Sequence, residues 1–301
     1  MTEVIRAVGL TKHYRKVAAL DGLNLSIPYG SVFGLVGPNG AGKTTTLKTI
    51  MNILKPDGGH AEVLGVDSRQ IGPLELARIG YVSENQEMPD WMTLGYLLAY
   101  LKPFYPAWDD AHAAHLVSQF DLPLDRKLRH LSRGMRMKAA LASSLAYRPQ
   151  LLVLDEPFSG LDPVVREDLI EGVIESAEET TILVSSHDLN EIESFASHIA
   201  YLEAGRLCFA EEMTSLSARF REIEVTVESS EPLSGEREWP ATWLRPDSTA
   251  GLIRFVETRF DPERTTSEVR RLFGEVRNIS VNPMPLRAIF VTLARSRSKA
   301  V

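Results

Sequence analysis

The chain holds a single cysteine, Cys208, which excludes an internal disulfide and a cysteine-rich zinc site. A reducing cytoplasm is the simplest compartment for such a chain. No apolar run approaches the roughly 18 residues that a membrane-crossing helix requires, and the opening MTEVIRAVGLTKHY lacks an apolar core of signal-peptide length. A role at a membrane therefore calls for another chain to supply the membrane part. Positive charge is also in short supply: 33 Lys and Arg stand against 40 Asp and Glu, a net charge of −7. Nonspecific nucleic-acid binding needs a cationic excess to neutralise phosphates, so no nucleic-acid partner is expected. Internal repeats and low-complexity tracts are absent. A length of 301 residues suits one large domain and a small one.

The most informative stretch is GPNGAGKTT at residues 37–45, which fits G-x-x-x-x-G-K-[ST]. Val32, Phe33, Leu35 and Val36 before it form the apolar run of a buried strand, and Thr44 to Leu54 after it suits a helix. Strand, glycine-rich turn and helix are the context that a phosphate-binding loop requires. Glycines at 37, 40 and 42 allow the backbone to curl around a phosphate, and the helix N-terminus adds an anion site. The nucleotide-binding residues read from this motif are Gly37, Pro38, Asn39, Gly40, Ala41, Gly42, Lys43, Thr44 and Thr45. Lys43 is expected to reach the β- and γ-phosphates, and the Thr44 hydroxyl to meet Mg²⁺.

Elsewhere, residues 3–9 and 17–27 read as two strands joined by a polar turn, and His60 to Val66 as a third after the turn Pro56–Gly59. Ile79–Ser83, Leu151–Leu154 and Thr180–Ser185 are short apolar runs, the signature of buried strands. Residues 93–148 are helical in pattern, interrupted at Pro103, Pro106 and Pro123. Asp162 and Pro163 mark a helix start for a segment reaching about Glu179, and Leu189–Ala196 reads as another helix. Strands alternating with helices predict an α/β fold with a mostly parallel sheet covered by helices. Composition shifts after about residue 220. Ile223, Val225 and Val227 alternate with polar residues, Ser229–Trp239 is turn-rich, Leu252–Val256 and Val276–Val281 read as strands, and Ser267–Phe273 as a helix. The expected organisation is a domain over 1–220, with a helical subdomain over about 87–150, and a small α+β domain over 221–301.

LLVLDEP at 151–157 carries Asp155 and Glu156 to the C-terminal end of an apolar strand, where sites form in open α/β sheets. Asp155 is placed to hold Mg²⁺ and Glu156 to act as base for an attacking water. LSRGMRMK lies upstream at 131–138, with SGLD at 159–162 and TILVSSHD at 181–188 downstream. The order of these five motifs resembles the ATP-binding subunit of ABC transporters over residues 1 to about 215. That resemblance implies a P-loop (RecA-like) core with an antiparallel β-subdomain and a helical subdomain. It also implies ATP and Mg²⁺ as ligands, a separately encoded integral membrane permease as partner, and a second ATPase subunit paired head to tail. The chain would then sit at the cytoplasmic face of the membrane, held there by the permease. By the same resemblance Tyr14 stacks on adenine, Ser132 and Gly134 contact the γ-phosphate held by the second subunit, Asp162 shapes the contact between subunits, and His187 contacts the γ-phosphate.

Two motifs depart from the family pattern. The signature usually reads LSGGQ, whereas Arg133 and Met135 stand here in place of a glycine and the glutamine. In YVSENQ, residues 81–86, Glu84 occupies the usual glutamine position, from which it would approach Mg²⁺; Gln86 could replace it only after a loop shift. The tail PLRAIFVTLAR resembles ATPase subunits of bacterial drug- and antibiotic-type exporters. His112 and His115, at i, i+3, lack a third ligand and read as a solvated helix face. Trp91, Trp108 and the aromatics at 100–105 read either as a docking patch or as core. Two further readings stand beside the exporter subunit: a soluble ABC-type ATPase acting on nucleic acid or ribosomes, and a non-catalytic regulatory module.

Overall fold

A computed structural model describes residues 2–227, 239–249 and 251–297, so most of the Ser229–Trp239 turn lies outside the described residues. The chain divides into two compact units, Met1–Ala210 and Glu211–Val301.

The first unit opens with β1 (Glu3–Tyr14) and β2 (Val17–Pro28), an antiparallel pair turned by Arg15 in the left-handed region. β3 (Val32–Val36) is buried along its whole length and delivers the chain to α1 (Lys43–Ile50). β4 (Gly58–Val63) and β5 (Val66–Asp67) complete an antiparallel sheet in the order β2-β1-β4-β5. The single strand expected over His60–Val66 is broken because Leu64 and Gly65 both take positive φ and reverse the chain. α2 (Pro73–Leu76) and β6 (Ile79–Ser83) follow.

Three helices then form, each capped by a side chain that satisfies an otherwise orphaned N–H. Thr93 caps α3 (Leu94–Leu101), Asp109 caps α4 (Asp110–Gln119) and Ser132 caps α5 (Arg133–Leu145). Pro103, Pro106 and Pro123 fall between them, as their missing N–H groups require. β7 (Leu151–Asp155), α6 (Pro163–Ser176), β8 (Thr181–Ser186), α7 (Asn190–Glu193), β9 (His198–Glu203) and β10 (Arg206–Glu212) close the unit. The helix expected over Leu189–Ala196 is only four residues long.

The second sheet runs β10-β9-β3-β8-β7-β6, and β9-β3-β8-β7-β6 are mutually parallel. Its register places the site. Val36 pairs with Ser186, Asp155 with Ser185 and Ser83 with Asp155, so four strands end on one rim. One core joins both sheets through α1: Ile5, Leu10 and Leu23 from the antiparallel sheet, Leu47 and Ile50 from the helix, and Leu35, Val153 and Leu183 from the parallel sheet, all 0–1% exposed. Burial on both faces explains why β3, β7 and β8 read as continuous apolar runs rather than alternating ones.

The second unit is an antiparallel sheet with helices. α8 (Met213–Arg219) precedes β11 (Arg221–Val227), β12 (Trp243–Thr249), β13 (Leu252–Glu257), α9 (Pro262–Phe273), β14 (Val276–Pro283) and α10 (Leu286–Arg297). The strand order is β12-β13-β11-β14. Its core gathers Ile223, Val225, Ile253, Phe255 and Val269 around Trp243, whose ring stacks on Phe255 at 3.6 Å.

Candidate active site

The segment after β3 turns through Gly40 and Gly42, both at positive φ, into α1. A Cβ at Gly42 would lie 2.4 Å from the Ala19 carbonyl, so this glycine is demanded by β2 beneath the loop as much as by any anion above it. α1 has no side-chain N-cap and no acidic residue in its first turn. Its leading N–H groups therefore remain available to an anion, and the helix dipole favours one there.

Lys43 is buried, and its Nζ donates to the carbonyls of Gly37 at 2.7 Å and Pro38 at 3.3 Å. The same ammonium stands 3.0 Å from Glu156 Oε1. Glu156 follows β7 in the left-handed region, at φ 53, an unusual place for a side chain of this kind. Ser185, Lys43 and His187 hold it there. Its N–H donates to Ser185 Oγ at 3.0 Å, Lys43 faces one carboxylate oxygen, and His187 Nδ1 lies 2.7 Å from the other.

Asp155 is 3% exposed. Thr44 Oγ1 and Ser185 Oγ each donate to its Oδ1 at 2.9 Å. Burial pushes the Asp155 carboxyl above the usual carboxylate range, and the neighbouring Glu156 charge adds to this against the two hydroxyl donors. Ser185 ties the Asp155 carboxylate to the Glu156 main chain, yet the motif-based reading gives it no role. Its only sequence signal is a polar residue at the end of a buried apolar strand.

A cleft of about 540 Å³ gathers Lys43, Thr44, Glu156 and His187. It is lined by Tyr14, Ala19, Asn39–Thr45, Glu84, Glu156, Ser159 and His187. Tyr14, 47% exposed, offers its ring at the rim. Glu84 reaches the cleft edge because its N–H donates to the Asp155 carbonyl at 3.0 Å, extending the β6–β7 pairing by one residue. Its carboxylate is engaged by Arg133 Nη2. Gln86 turns back instead, accepting from the Ser83 N–H at 3.4 Å.

Ser132, Gly134 and Asp162 do not line this cleft. Ser132 Oγ accepts from the Met135 N–H at 3.2 Å and caps α5. Gly134 faces α6, where an added Cβ would meet Val165 Cγ1 at 2.7 Å. Asp162 Oδ1 accepts from the Val164 and Val165 N–H groups at 3.1 Å each and caps α6. Behind His187, Ser186 Oγ donates to Glu191 Oε2 at 2.6 Å, and Arg166 lies 3.4 Å from the other oxygen of Glu191. Among the described residues, no group of three or more His, Cys, Asp or Glu is arranged to hold a metal, His112 and His115 included.

A buried lysine on a glycine loop, a threonine hydroxyl on a strand-end aspartate, and a following glutamate define a P-loop nucleoside triphosphatase. The ABC transporter family model matches residues 20–159, and a daunorubicin/doxorubicin resistance ATP-binding protein of Streptomyces peucetius is 32% identical across 97% of this chain and 92% of its own. The chain belongs to the ATP-binding subunits of ABC transporters and is an ATPase by that membership. A fluoroquinolones export ATP-binding protein of Mycobacterium tuberculosis is 34% identical over 75% of this chain and 77% of its own. Among solved structures, an ATP-binding subunit of an ABC transporter superposes with a TM-score of 0.65 at 25% identity, covering 71% of this chain and 92% of that one. Among the described residues, no helix is long and apolar enough to cross a membrane.

Proposed function

We propose that the chain is the ATP-hydrolysing engine of an exporter, working as a head-to-tail pair of copies on a separately encoded membrane permease. The observation that carries this reading is a division of labour. One cleft collects Lys43, Thr44, Glu156 and His187, while Ser132 and Gly134 of the same chain lie outside it. A site that needs both sets is completed by a second copy. The drug-resistance and fluoroquinolone-export relatives support the direction of transport. Trp91, Tyr96, Tyr100 and Phe104, each at least 50% exposed, support a docking face on the helical part, since exposed aromatics gathered this way mark contact surfaces.

In this mechanism Tyr14 stacks on the adenine, and the loop Gly37–Thr45 with the start of α1 cradles the phosphates. Lys43 exchanges Glu156 for the β- and γ-phosphates. That exchange leaves Glu156 Oε1 to accept a proton from the water attacking the γ-phosphorus in line. His187 holds the opposite carboxylate oxygen and orients the base toward the γ-phosphate. Thr44 and Asp155 fit Mg²⁺, being hard oxygen donors with a buried carboxylate that a cation would stabilise in its ionised form; an ion held by them would supply neutralisation of phosphate charge. Glu84 is left to Arg133 in this assignment.

The test is ATP-dependent association of the Glu156→Gln chain, followed by sedimentation. It should dimerise with ATP and hydrolyse none. A variant that binds ATP and stays monomeric at saturating nucleotide overturns the paired site.

A further inference from the structure

Glu84 and Arg133, two of the three residues at which this sequence leaves the family pattern, are in contact. They lie 49 residues apart, one in the loop after β6 and the other in the first turn of α5, and the Arg133 guanidinium donates to the Glu84 carboxylate. The guanidinium lies close over Gly160, where a side chain would crowd it: an added Cβ would come within 2.9 Å of Nη1. One turn along α5, Arg136 donates to Asp90 at 3.0 Å, a second tie between the same helix and the same loop. The loop 84–90 is therefore fastened to the start of α5 at both ends. Glu84 also lines the cleft with Thr44, Glu156 and His187, and Arg133 is the immediate neighbour of Ser132.

We propose that Glu84 and Arg133 act as a positioning pair, a strut by which nucleotide at one chain's Lys43 sets the placement of the Ser132–Gly134 segment that the same chain offers to its partner. The inference rests on the paired-site reading above. Arg133 is 52% and Glu84 27% exposed, and pairs this open contribute little to stability. The contact serves geometry more than stability, so its variants are expected to fold. It joins the two halves of the machinery within one chain, so that the site a copy fills and the site it completes are linked.

Two measurements on the full chain test this. In the Glu156→Gln background, Arg133→Glu and Glu84→Arg should each weaken ATP-dependent dimerisation about tenfold or more, and the double exchange should recover most of the loss, as coupled partners do. An exchange no better than the worse single variant overturns the strut. So does a harmless Glu84→Gln beside a dead Arg133→Gln, which would mean that Arg133 acts alone. The second measurement is amide hydrogen exchange of the monomer with ADP. Protection across residues 133–138 should respond to ADP in the parent, lose that response in Glu84→Gln and in Arg133→Gln, and regain it in the charge exchange. Equal responses in all four chains overturn the proposal. If the Glu156→Gln parent never dimerises, the paired site is what fails, and the exchange measurement alone decides the strut.

Discussion

Lys43→Ala separates what the lysine does for the fold from what it does for the nucleotide. In the structure its side chain is 5% exposed, and its ammonium faces Glu156, whose side chain is 13% exposed, at 3.0 Å. Removing one member of such a pair strands the other. Glu156 keeps His187 and the Ser185 contact at its N–H, so the cost should fall near that of one unsatisfied buried group, about 1–3 kcal/mol, rather than that of a fully orphaned charge. For binding, two charge-assisted hydrogen bonds to phosphate at roughly 1.5–3 kcal/mol each give about 3–6 kcal/mol, a loss of about 10² to 10⁴ in ATP affinity. Adding Glu156→Gln removes the stranded charge. Lys43→Ala/Glu156→Gln should therefore regain most of the stability lost in the single variant and none of the affinity. Urea unfolding of the four chains reads the first quantity, and equilibrium titration with ATP reads the second. Unchanged ATP affinity in a folded Lys43→Ala chain would refute the P-loop assignment. A double variant less stable than Lys43→Ala would refute the ion pair as the source of the destabilisation.

Gly134→Ala should cost about 1–3 kcal/mol from overpacking against Val165, reduced by up to about 1 kcal/mol of helix propensity. Val165→Ala in the same chain should restore stability, and a fully stable Gly134→Ala in urea unfolding would show that α5 and α6 do not pack this closely. Burial raises the Glu191 carboxyl above its ordinary value of 4.5, with Ser186 and Arg166 opposing the rise. A carboxyl with its folded pKa raised takes up a proton on folding, so stability falls as pH climbs through the window above 4.5. Glu191→Gln removes that titration. The thermal stability of the variant relative to the parent, measured in chelator, should rise with pH from about 4.5 and then level off; a flat or falling difference refutes it.

The chemistry of the cleft was legible because each part is local. A glycine loop between strand and helix, or two carboxylates at the end of an apolar run, can be read within ten residues, and Lys43, Thr44, Asp155, Glu156 and His187 all come together. Strands buried on both faces announced themselves the same way. β9 and β10 did not, because His198–Glu203 and Arg206–Glu212 mix polar with apolar residues and owe their pairing to the sheet edge they extend. Leu64 hides a turn because its left-handed backbone is imposed by the reversal into β5, against its own preference. α10 takes up nearly all of the tail that resembles an exporter subunit and runs two residues past it, and nothing in the sequence reading marks it as a helix. The aromatics resolve into two groups that composition could not separate. Trp91, Tyr100 and Phe104 stay exposed, whereas Tyr105 stacks on Tyr147 at 3.8 Å. Ser185 and the Glu84–Arg133 contact depend on strand register and on segments 49 residues apart.

The head-to-tail pairing proposed above, with Ser132 and Gly134 absent from the cleft that holds Lys43, has a genetic consequence. Damage to the loop and damage to the signature fall on opposite ends of one molecule's duties. A cell carrying one copy disabled at Lys43 and another disabled at Ser132 would assemble mixed pairs in which both faults meet at the same interface. The other interface of each mixed pair would be wholly undamaged, so two alleles that are each null alone would complement.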